Sequence, residues 1–301
     1  MLLLSSKNRL DHAYKQAKRI EFDDQSKFIL FSDCHRGDNS FADDFANNRN
    51  IYYHALKQYF AAGFQYCELG DGDELWENLS FRSILEAHKN VYLLLKEFHE
   101  EERLHMIWGN HDMVYRNPEY VEKHLSKYFD PKSGEDVELF CDLQFHEGLV
   151  LVHKTTRQEI FLSHGHQADW WNYLFWRWSR FMVRILWKPL NVMGIADPTS
   201  PAKNYKELIK VERRIKKWIV DNDNRLTIVG HTHRPRFPEP GDIAFFNDGS
   251  CVHPRSITGI EIENGAIALI KWQIETKDDG TLQIVRVLLE GPCDLKDYIT
   301  E

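Results

Sequence analysis

Five short segments rich in histidine and aspartate recur along the chain, and each follows an apolar, β-prone run typical of a buried strand. The segments are Asp33-Cys34-His35, Gly70-Asp71, Gly109-Asn110-His111-Asp112, Ser163-His164-Gly165-His166 and Gly230-His231-Thr232-His233. This placement constrains the fold, because the carboxyl ends of strands in an open α/β sheet converge on one edge. Polar side chains far apart in the sequence are therefore expected to meet in one pocket.

The side chains in these segments are donors that suit divalent transition metals. Carboxylate, amide and imidazole groups together supply seven candidate ligands: Asp33, His35, Asp71, Asn110, His164, His231 and His233. If Asp71 bridges two ions, each ion receives four protein contacts. Two ions roughly 3.5–4 Å apart can activate a water and clamp the attacking and leaving oxygens of a displacement at phosphorus. The pattern therefore favours hydrolysis of a phosphate ester or anhydride by a metal-bound hydroxide.

Taken in order, the five segments resemble the calcineurin-like metallophosphoesterases, whose pattern reads D-x-H, GD, GNH(D/E), HG or HGH, and GHTH. The resemblance extends from Asp33 to His233, with a strand-rich tail after it. It implies an α/β fold, a two-sheet αββα sandwich with a helical insertion, formed as a single domain over residues 1–301. It also implies two divalent metal ions as cofactors, with manganese expected and iron or zinc as alternatives.

The same resemblance assigns roles to the candidate ligands. It implies that Asp33, His35 and His233 bind a first metal and that Asn110, His164 and His231 bind a second. Asp71 would bridge the two. His111 matches the family's non-ligand histidine, which stabilises the transition state or protonates the leaving oxygen. Histidine suits this task because its unperturbed pKa lies near neutrality. Asp112 is expected to orient it.

Four further residues near the segments have open interpretations. His166 is expected to contact substrate, with a ligand-orienting role or a plain surface position as alternatives. Arg234, within Gly230-His231-Thr232-His233-Arg234-Pro235, is a second candidate substrate contact. Asp73 and Glu74 either orient metal ligands or belong to a solvated loop.

The stretch between the fourth and fifth segments, roughly 167–224, is expected to be a helical insertion that caps the site. Residues 170–220 hold eleven Lys or Arg and three acidic residues, in a chain whose net charge is −8, and six of its nine tryptophans. Helices are expected over 169–188 and near 203–221. These two helices are expected to pack on each other as a hairpin. The alternatives are that they line an acyl-chain groove or that 170–188 contacts a membrane surface. Nucleic acid is a competing partner for a basic, aromatic surface.

Among the family's branches, the layout is most similar to the UDP-2,3-diacylglucosamine pyrophosphatases, which also place a basic helical insertion before GHTHRP. That branch usually has arginine where His111 stands, and HGD where this chain reads His164-Gly165-His166. These departures favour a more general phosphoesterase. The expected substrate is a phosphorylated small molecule or lipid, with a lipid pyrophosphatase, a phosphodiesterase or a nuclease as alternatives. A catalytically silent binding or scaffold protein is the non-enzymatic alternative.

Composition and periodicity complete the expectations. The chain has 301 residues, 43% of them hydrophobic, which suffices for one large core. Its five cysteines lack regular spacing, and the apolar run at residues 1–4 is too short for a signal peptide, so a cytoplasmic location is expected. If 170–188 contacts lipid, the protein is expected to lie at the inner face of the membrane. Strands and helices are expected to alternate after a polar segment, 7–26. The tail beyond 243 is expected to form the second sheet.

Overall fold

Two main sheets face each other in the computed structural model, which describes residues 5–169 and 205–298. The described strands are β1 (Lys18–Phe22), β2 (Phe28–Phe31), β3 (Gln65–Leu69), β4 (Leu104–Ile107), β5 (Lys127–Asp130), β6 (Glu135–Glu138), β7 (Phe145–His146), β8 (Gly148–His153), β9 (Glu159–Ser163), β10 (Thr227–Val229), β11 (Phe245–Asn247), β12 (Ser256–Glu263), β13 (Ala266–Thr276) and β14 (Leu282–Asp294). The described helices are α1 (Ser6–Gln16), α2 (Arg49–Ala61), α3 (Phe81–Ala87), α4 (Lys89–Glu100), α5 (Pro118–Leu125) and α6 (Tyr205–Val220).

The larger sheet has seven strands in the order β14-β13-β12-β2-β3-β4-β7, and the smaller has five in the order β1-β8-β9-β10-β11. Strands β2, β3, β4 and β7 run parallel to one another, as the alternation of strand and helix predicts. Helices cover the outer face of each sheet. The expected two-sheet α/β sandwich is therefore confirmed.

The expectation that the tail forms a second sheet is wrong. Strand β12 pairs antiparallel with β2, with Ile260 opposite Leu30, so the tail hairpins extend the first sheet. Residues 257–262 of β12 are buried on both faces, and such a strand needs apolar layers on each side of it. Among the described strands beyond 243, only β11 joins the second sheet, whose other four strands, β1, β8, β9 and β10, come from earlier in the chain.

Three apolar clusters fill the spaces between the four layers, and β2 shows how one strand serves two of them. Successive side chains of a strand point to opposite faces of the sheet. Phe31 packs towards α2 and α4, whereas Leu30 packs between the two sheets. The third cluster lies outside the smaller sheet, where Ala13 of α1 and Trp218 of α6 are buried. The strand ends are thereby held between well-packed layers.

The polar segment 7–26 contains two elements that the periodicity does not predict, α1 and β1. Helix α1 begins after Ser5, whose hydroxyl accepts a hydrogen bond from the N–H of Asn8 at 3.1 Å. Strand β1 pairs in parallel with β8 at the edge of the smaller sheet. Together they complete that sheet and cover part of its outer face.

Of the expected insertion, roughly 167–224, the described residues include 167–169 and 205–224. Helix α6 agrees with the helix expected near 203–221, and it packs with α1 on the smaller sheet, where the rings of Trp218 and Phe161 lie 5.3 Å apart. The helix expected over 169–188 lies outside the described residues. Within residues 5–169 and 205–298, no helix is both long and apolar enough to span a bilayer.

A buried arginine lies under the ends of β2 and β3 and is tied to two carboxylates. The guanidinium of Arg36 is 1% exposed, and it donates to both oxygens of Glu68 at 2.7 Å and to Asp73 at 2.8 Å. The hydroxyls of Tyr92 and Tyr115 donate to the Asp73 carboxylate at 2.5 Å. A bidentate, fully hydrogen-bonded pair of this kind is costly to break on one side only.

We expect Arg36→Met to lower the free energy of unfolding by about 3–5 kcal/mol, because two buried carboxylates lose their counter-charge. Urea denaturation followed by circular dichroism measures the change. The matched control is Arg82→Met, since Arg82 pairs with Glu86 at the surface, where both side chains are at least 65% exposed. An Arg36 variant as stable as the Arg82 variant would show that the buried pair contributes nothing to stability.

Candidate metal centre

The seven candidate ligands all lie just beyond the carboxyl ends of strands. In the larger sheet, Asp33 and His35 follow β2, Asp71 follows β3, and Asn110 follows β4. In the smaller sheet, His164 follows β9, and both His231 and His233 follow β10. Donor atoms within 4.8 Å of one another form three groups, namely Asp33 with His35 and His233, Asp71 with His164 and His231, and His35 with Asp71 and His111. Two sheets therefore bring one shared set of donors together.

The backbone at five of these residues is left-handed, which is unusual for residues with side chains. The φ angles are +50° at Asp33, +48° at His35, +50° at Asp71, +66° at His231 and +53° at His233. Each such residue costs of order 1–3 kcal/mol and persists only where the surroundings hold it. Backbone hydrogen bonds provide that support, from Asp33 N–H to the Gly70 carbonyl at 3.0 Å and from His35 N–H to the Asp71 carbonyl at 2.9 Å. These bonds hold Asp33 and His35 in the left-handed conformation.

Gly109 is required by the close approach of the next ligand. A Cβ atom at this position would lie 2.2 Å from Oδ1 of Asp71 and 2.5 Å from its backbone nitrogen. No side chain fits in that space, so the loop carrying Asn110 can pass directly against Asp71 only with glycine here.

Asp71 faces both sets of histidines, as the expected bridge requires. Its Oδ2 lies 3.0 Å from Nε2 of His164 and 3.9 Å from Nε2 of His35. On the other side, Oδ1 of Asp33 lies 3.0 Å from Nε2 of His233 and 3.8 Å from Nε2 of His35. Oxygen and nitrogen donors of two groups therefore meet at Asp71.

Whether this pocket fits metal ions can be judged from the hydrogen bonding of its buried ligand atoms. Among the described residues, Nε2 of His35 and Oδ1 of Asn110 have no partner. Oδ1 of Asp33 and Nε2 of His164 each lie 3.0 Å from another candidate ligand, but not with the geometry of a hydrogen bond. An unpartnered buried polar atom costs about 1–3 kcal/mol, so two such atoms beside two poorly aligned contacts, all on candidate ligands, point to a missing ligand. Divalent cations fit this mixed oxygen and nitrogen donor set.

The electrostatics of the pocket also favour a cation. Burial disfavours the charged form of Asp33, yet His233 and His164 hold the pKa of this carboxyl well below its usual range. Burial likewise opposes the charge on His164, but Asp71 and Asp33 raise its pKa to about 9. The carboxylates therefore stay anionic and draw positive charge into the pocket, which bound metal ions would supply in place of protons.

Neighbouring groups fix the orientation of the histidine rings. The Nδ1 atom of His164 lies 2.8 Å from the Leu69 carbonyl oxygen, and Nδ1 of His35 lies 2.8 Å from the Glu74 carboxylate. When one ring nitrogen donates to an oxygen in this way, the other is left free to bind a metal. The Nε2 atoms of both rings are the ones that face Oδ2 of Asp71, at 3.0 Å for His164 and 3.9 Å for His35.

His111 is oriented by Glu74, which differs from the expectation for Asp112. The Nδ1 atom of His111 lies 2.7 Å from Oε2 of Glu74, and its ring stacks on Trp76 with centroids 4.1 Å apart. The carboxylate of Asp112 instead accepts hydrogen bonds from the N–H groups of Gly72 at 2.8 Å and Gly109 at 2.6 Å. Burial and the charge of Asp71 raise the pKa of Asp112 to about 7. Asp112 therefore fixes the two loops, because its side chain is directed inward.

The remaining sequence candidates also have defined positions. His166 is fully buried, with its ring 5.4 Å from that of His164 and 5.3 Å from that of Trp108, so the surface interpretation is excluded. Asp73 and Glu74 are buried as well, which excludes the solvated loop. Arg234 is half-buried directly after His233.

Sequence reasoning missed the contribution of Asp169. Its Oδ2 lies 3.4 Å from Nε2 of His231, and the residue is 9% exposed. An acidic residue three positions after His166 is a weak signal, because nothing in the sequence pairs it with the fifth segment.

No curated protein is significantly similar to the chain. Among solved structures, Vps29 from Cryptosporidium parvum has a TM-score of 0.39 and 15% identity over 88% of this chain and 98% of its own. Vps29 from Chaetomium thermophilum has a TM-score of 0.39 and 12% identity over 89% and 97%. Vps29 from Entamoeba histolytica, in complex with zinc, has a TM-score of 0.35 and 15% identity over 87% and 98%.

The match to a protein family is more informative. The family model described as calcineurin-like phosphoesterase matches residues 26–235. That range includes all five strand ends that carry the candidate ligands, from Asp33 to His233. Since the match extends over more than half of the sequence and contains the whole donor set, the chain belongs to the calcineurin-like phosphoesterase family.

Proposed function

We propose that the protein is a two-metal phosphoesterase that hydrolyses a phosphate ester or anhydride. The observation that carries this proposal is the meeting of two groups of donor atoms at Asp71, one with His164 and His231 and the other through His35. Asp33, His35 and His233 would hold one ion, and His164, His231 and Asn110 the other. Asp71 would bridge them. We expect manganese, with iron or zinc as alternatives.

Bound at this position, two divalent ions supply Lewis acidity and lower the pKa of a coordinated water. The protein's own contribution lies in orientation and proton transfer. Glu74 and Trp76 hold the ring of His111 in place, with Nδ1 against the carboxylate. This leaves Nε2 of His111 as the atom that would donate a proton to the leaving oxygen.

We infer a general phosphoesterase rather than a lipid pyrophosphatase, because His111 occupies the position where that branch usually has arginine. Histidine can donate a proton near neutral pH, whereas arginine remains protonated and serves as a fixed charge. A proton donor is useful for esters whose leaving groups are alkoxides, which depart poorly without protonation.

The test is hydrolysis by the purified, manganese-supplemented protein on three substrates: a phosphomonoester, a phosphodiester and a UDP-linked lipid pyrophosphate. Asp71→Asn protein, prepared in parallel, is the blank that subtracts contaminating hydrolases. Turnover of either simple ester above the blank supports the proposal. Preference for the lipid anhydride would assign the protein to the pyrophosphatase alternative. Two bound metals with no turnover of any substrate would favour the non-enzymatic scaffold.

A further inference from the structure

Helix α1 lies outside the matched family range, 26–235, and yet it contacts the turn that follows His164, one of the second group of ligands. Arg9 of this helix is fully buried, and its Nε donates to the carbonyl oxygen of Gln167 at 2.6 Å. Burying an arginine costs desolvation free energy, so its charge must be stabilised by the groups around it, which include this turn beside the candidate metal site.

The loop that Arg9 contacts is a single tight turn over residues 165–169. It begins at Gly165, whose φ angle is +103°, and it closes through hydrogen bonds from Ala168 N–H to the Gly165 carbonyl at 3.0 Å and from Asp169 N–H to the His166 carbonyl at 2.9 Å. Its amide and carbonyl groups are therefore largely fixed within the turn.

Two arginines hold this turn from outside. Besides Arg9 on the Gln167 carbonyl, Nη1 of Arg214 in α6 donates to the Ala168 carbonyl at 2.9 Å. The side-chain oxygen of Gln167 in turn accepts from the N–H of Gly165 at 3.1 Å. Charged donors on consecutive carbonyls are stronger than neutral ones, so they oppose rotation of the turn as a unit.

The end of the turn reaches the second group of ligands through Asp169. Its carboxylate lies 3.4 Å from Nε2 of His231, which belongs to the group formed with Asp71 and His164. A carboxylate that accepts from one ring nitrogen leaves the other nitrogen for the metal and fixes the plane of the ring. The position of Asp169 depends on the turn, and the turn depends on its arginine contacts.

We propose that Arg9 and Asp169 are positioning residues for the second metal. Arg9 holds the turn over 165–169, the turn places the Asp169 carboxylate, and Asp169 orients the ring of His231. This inference rests on the proposed two-metal function. Helix α1, which lies outside the family range, would therefore contribute to the affinity for the second ion.

The experiment is a manganese titration of the full chain, with bound metal counted by equilibrium dialysis and the coupled two-ion signal followed by electron paramagnetic resonance. Arg9→Met and Asp169→Asn are expected to weaken binding of the second ion about 10- to 100-fold while leaving the first unchanged. The matched control is Arg19→Met, because Arg19 lies in the same N-terminal segment and pairs with Glu159 away from the pocket.

Circular dichroism verifies that each variant is folded under the titration conditions. Arg9→Gln, a polar side chain without the charge, replaces Arg9→Met if the latter does not fold. Second-ion affinity equal to wild type in both the Arg9 and Asp169 variants would overturn the inference and leave the proposed function intact. Loss in Asp169→Asn alone would overturn the role of Arg9. A wild-type protein that binds fewer than two ions would overturn the two-metal proposal itself.

Discussion

Asp71→Asn is expected to lose the coupled pair of metal ions and to lower turnover by roughly 1,000-fold or more, since metal ions contribute several kcal/mol to such reactions. Asp71 faces both histidine groups, with Nε2 of His164 at 3.0 Å and Nε2 of His35 at 3.9 Å from its Oδ2. The substitution keeps an oxygen that can accept the hydrogen bond from His111 N–H, which is 2.7 Å from Oδ1. The change therefore removes charge while keeping the shape.

The measurement combines metal content with the rate on a simple phosphate ester at saturating manganese. Asp278→Asn is the control, because this aspartate is exposed in a turn far along the chain from the pocket. An Asp71 variant that binds two ions as tightly as wild type would remove the bridging role. Normal metal binding with lost turnover would instead show that Asp71 acts in the reaction and not in holding the metals.

Much of the fold could be predicted from the sequence because uniform apolar runs identify strands that are buried on both faces. Strand β2, which the run Phe28-Ile29-Leu30-Phe31 predicts near 27–33, is observed over Phe28–Phe31 for this reason. Helix α1 could not be predicted because its inward side includes Arg9, which is polar but fully buried. The pairing of β12 with β2 could not be predicted either, since periodicity gives the face of a strand and not its neighbour.

The ligands of the candidate site could be predicted because each one lies at the end of a strand, in a short motif. The residues that support them could not. Glu74 contacts rings from two different segments, and Asp169 contacts a ring 62 positions away, so neither role exists until the chain folds. The left-handed backbone at Asp33 and His231 leaves only a weak sequence signal, namely that Asp and His tolerate this conformation better than most residues.

His111→Gln is expected to keep both metals and to lower kcat about 100- to 1,000-fold on substrates with poor leaving groups. Glutamine can still accept and donate hydrogen bonds beside Glu74 and Trp76, but it cannot transfer a proton. An exposed histidine on α5 provides the control, His124→Gln. Metal content, measured on the same samples, separates loss of proton transfer from loss of the ions.

The leaving group decides whether His111 donates a proton or only stabilises charge. A nitrophenolate departs without protonation, so a proton-donor role predicts that His111→Gln loses far less rate on a nitrophenyl ester than on an alkyl ester of the same phosphate. Charge stabilisation predicts equal losses on both, because the phosphoryl oxygens carry the same added charge in each reaction. Glu74→Gln should show the same dependence on the leaving group, weakened, since Glu74 holds Nδ1 of His111 at 2.7 Å. Equal losses across the two esters in both variants would assign His111 to charge stabilisation alone.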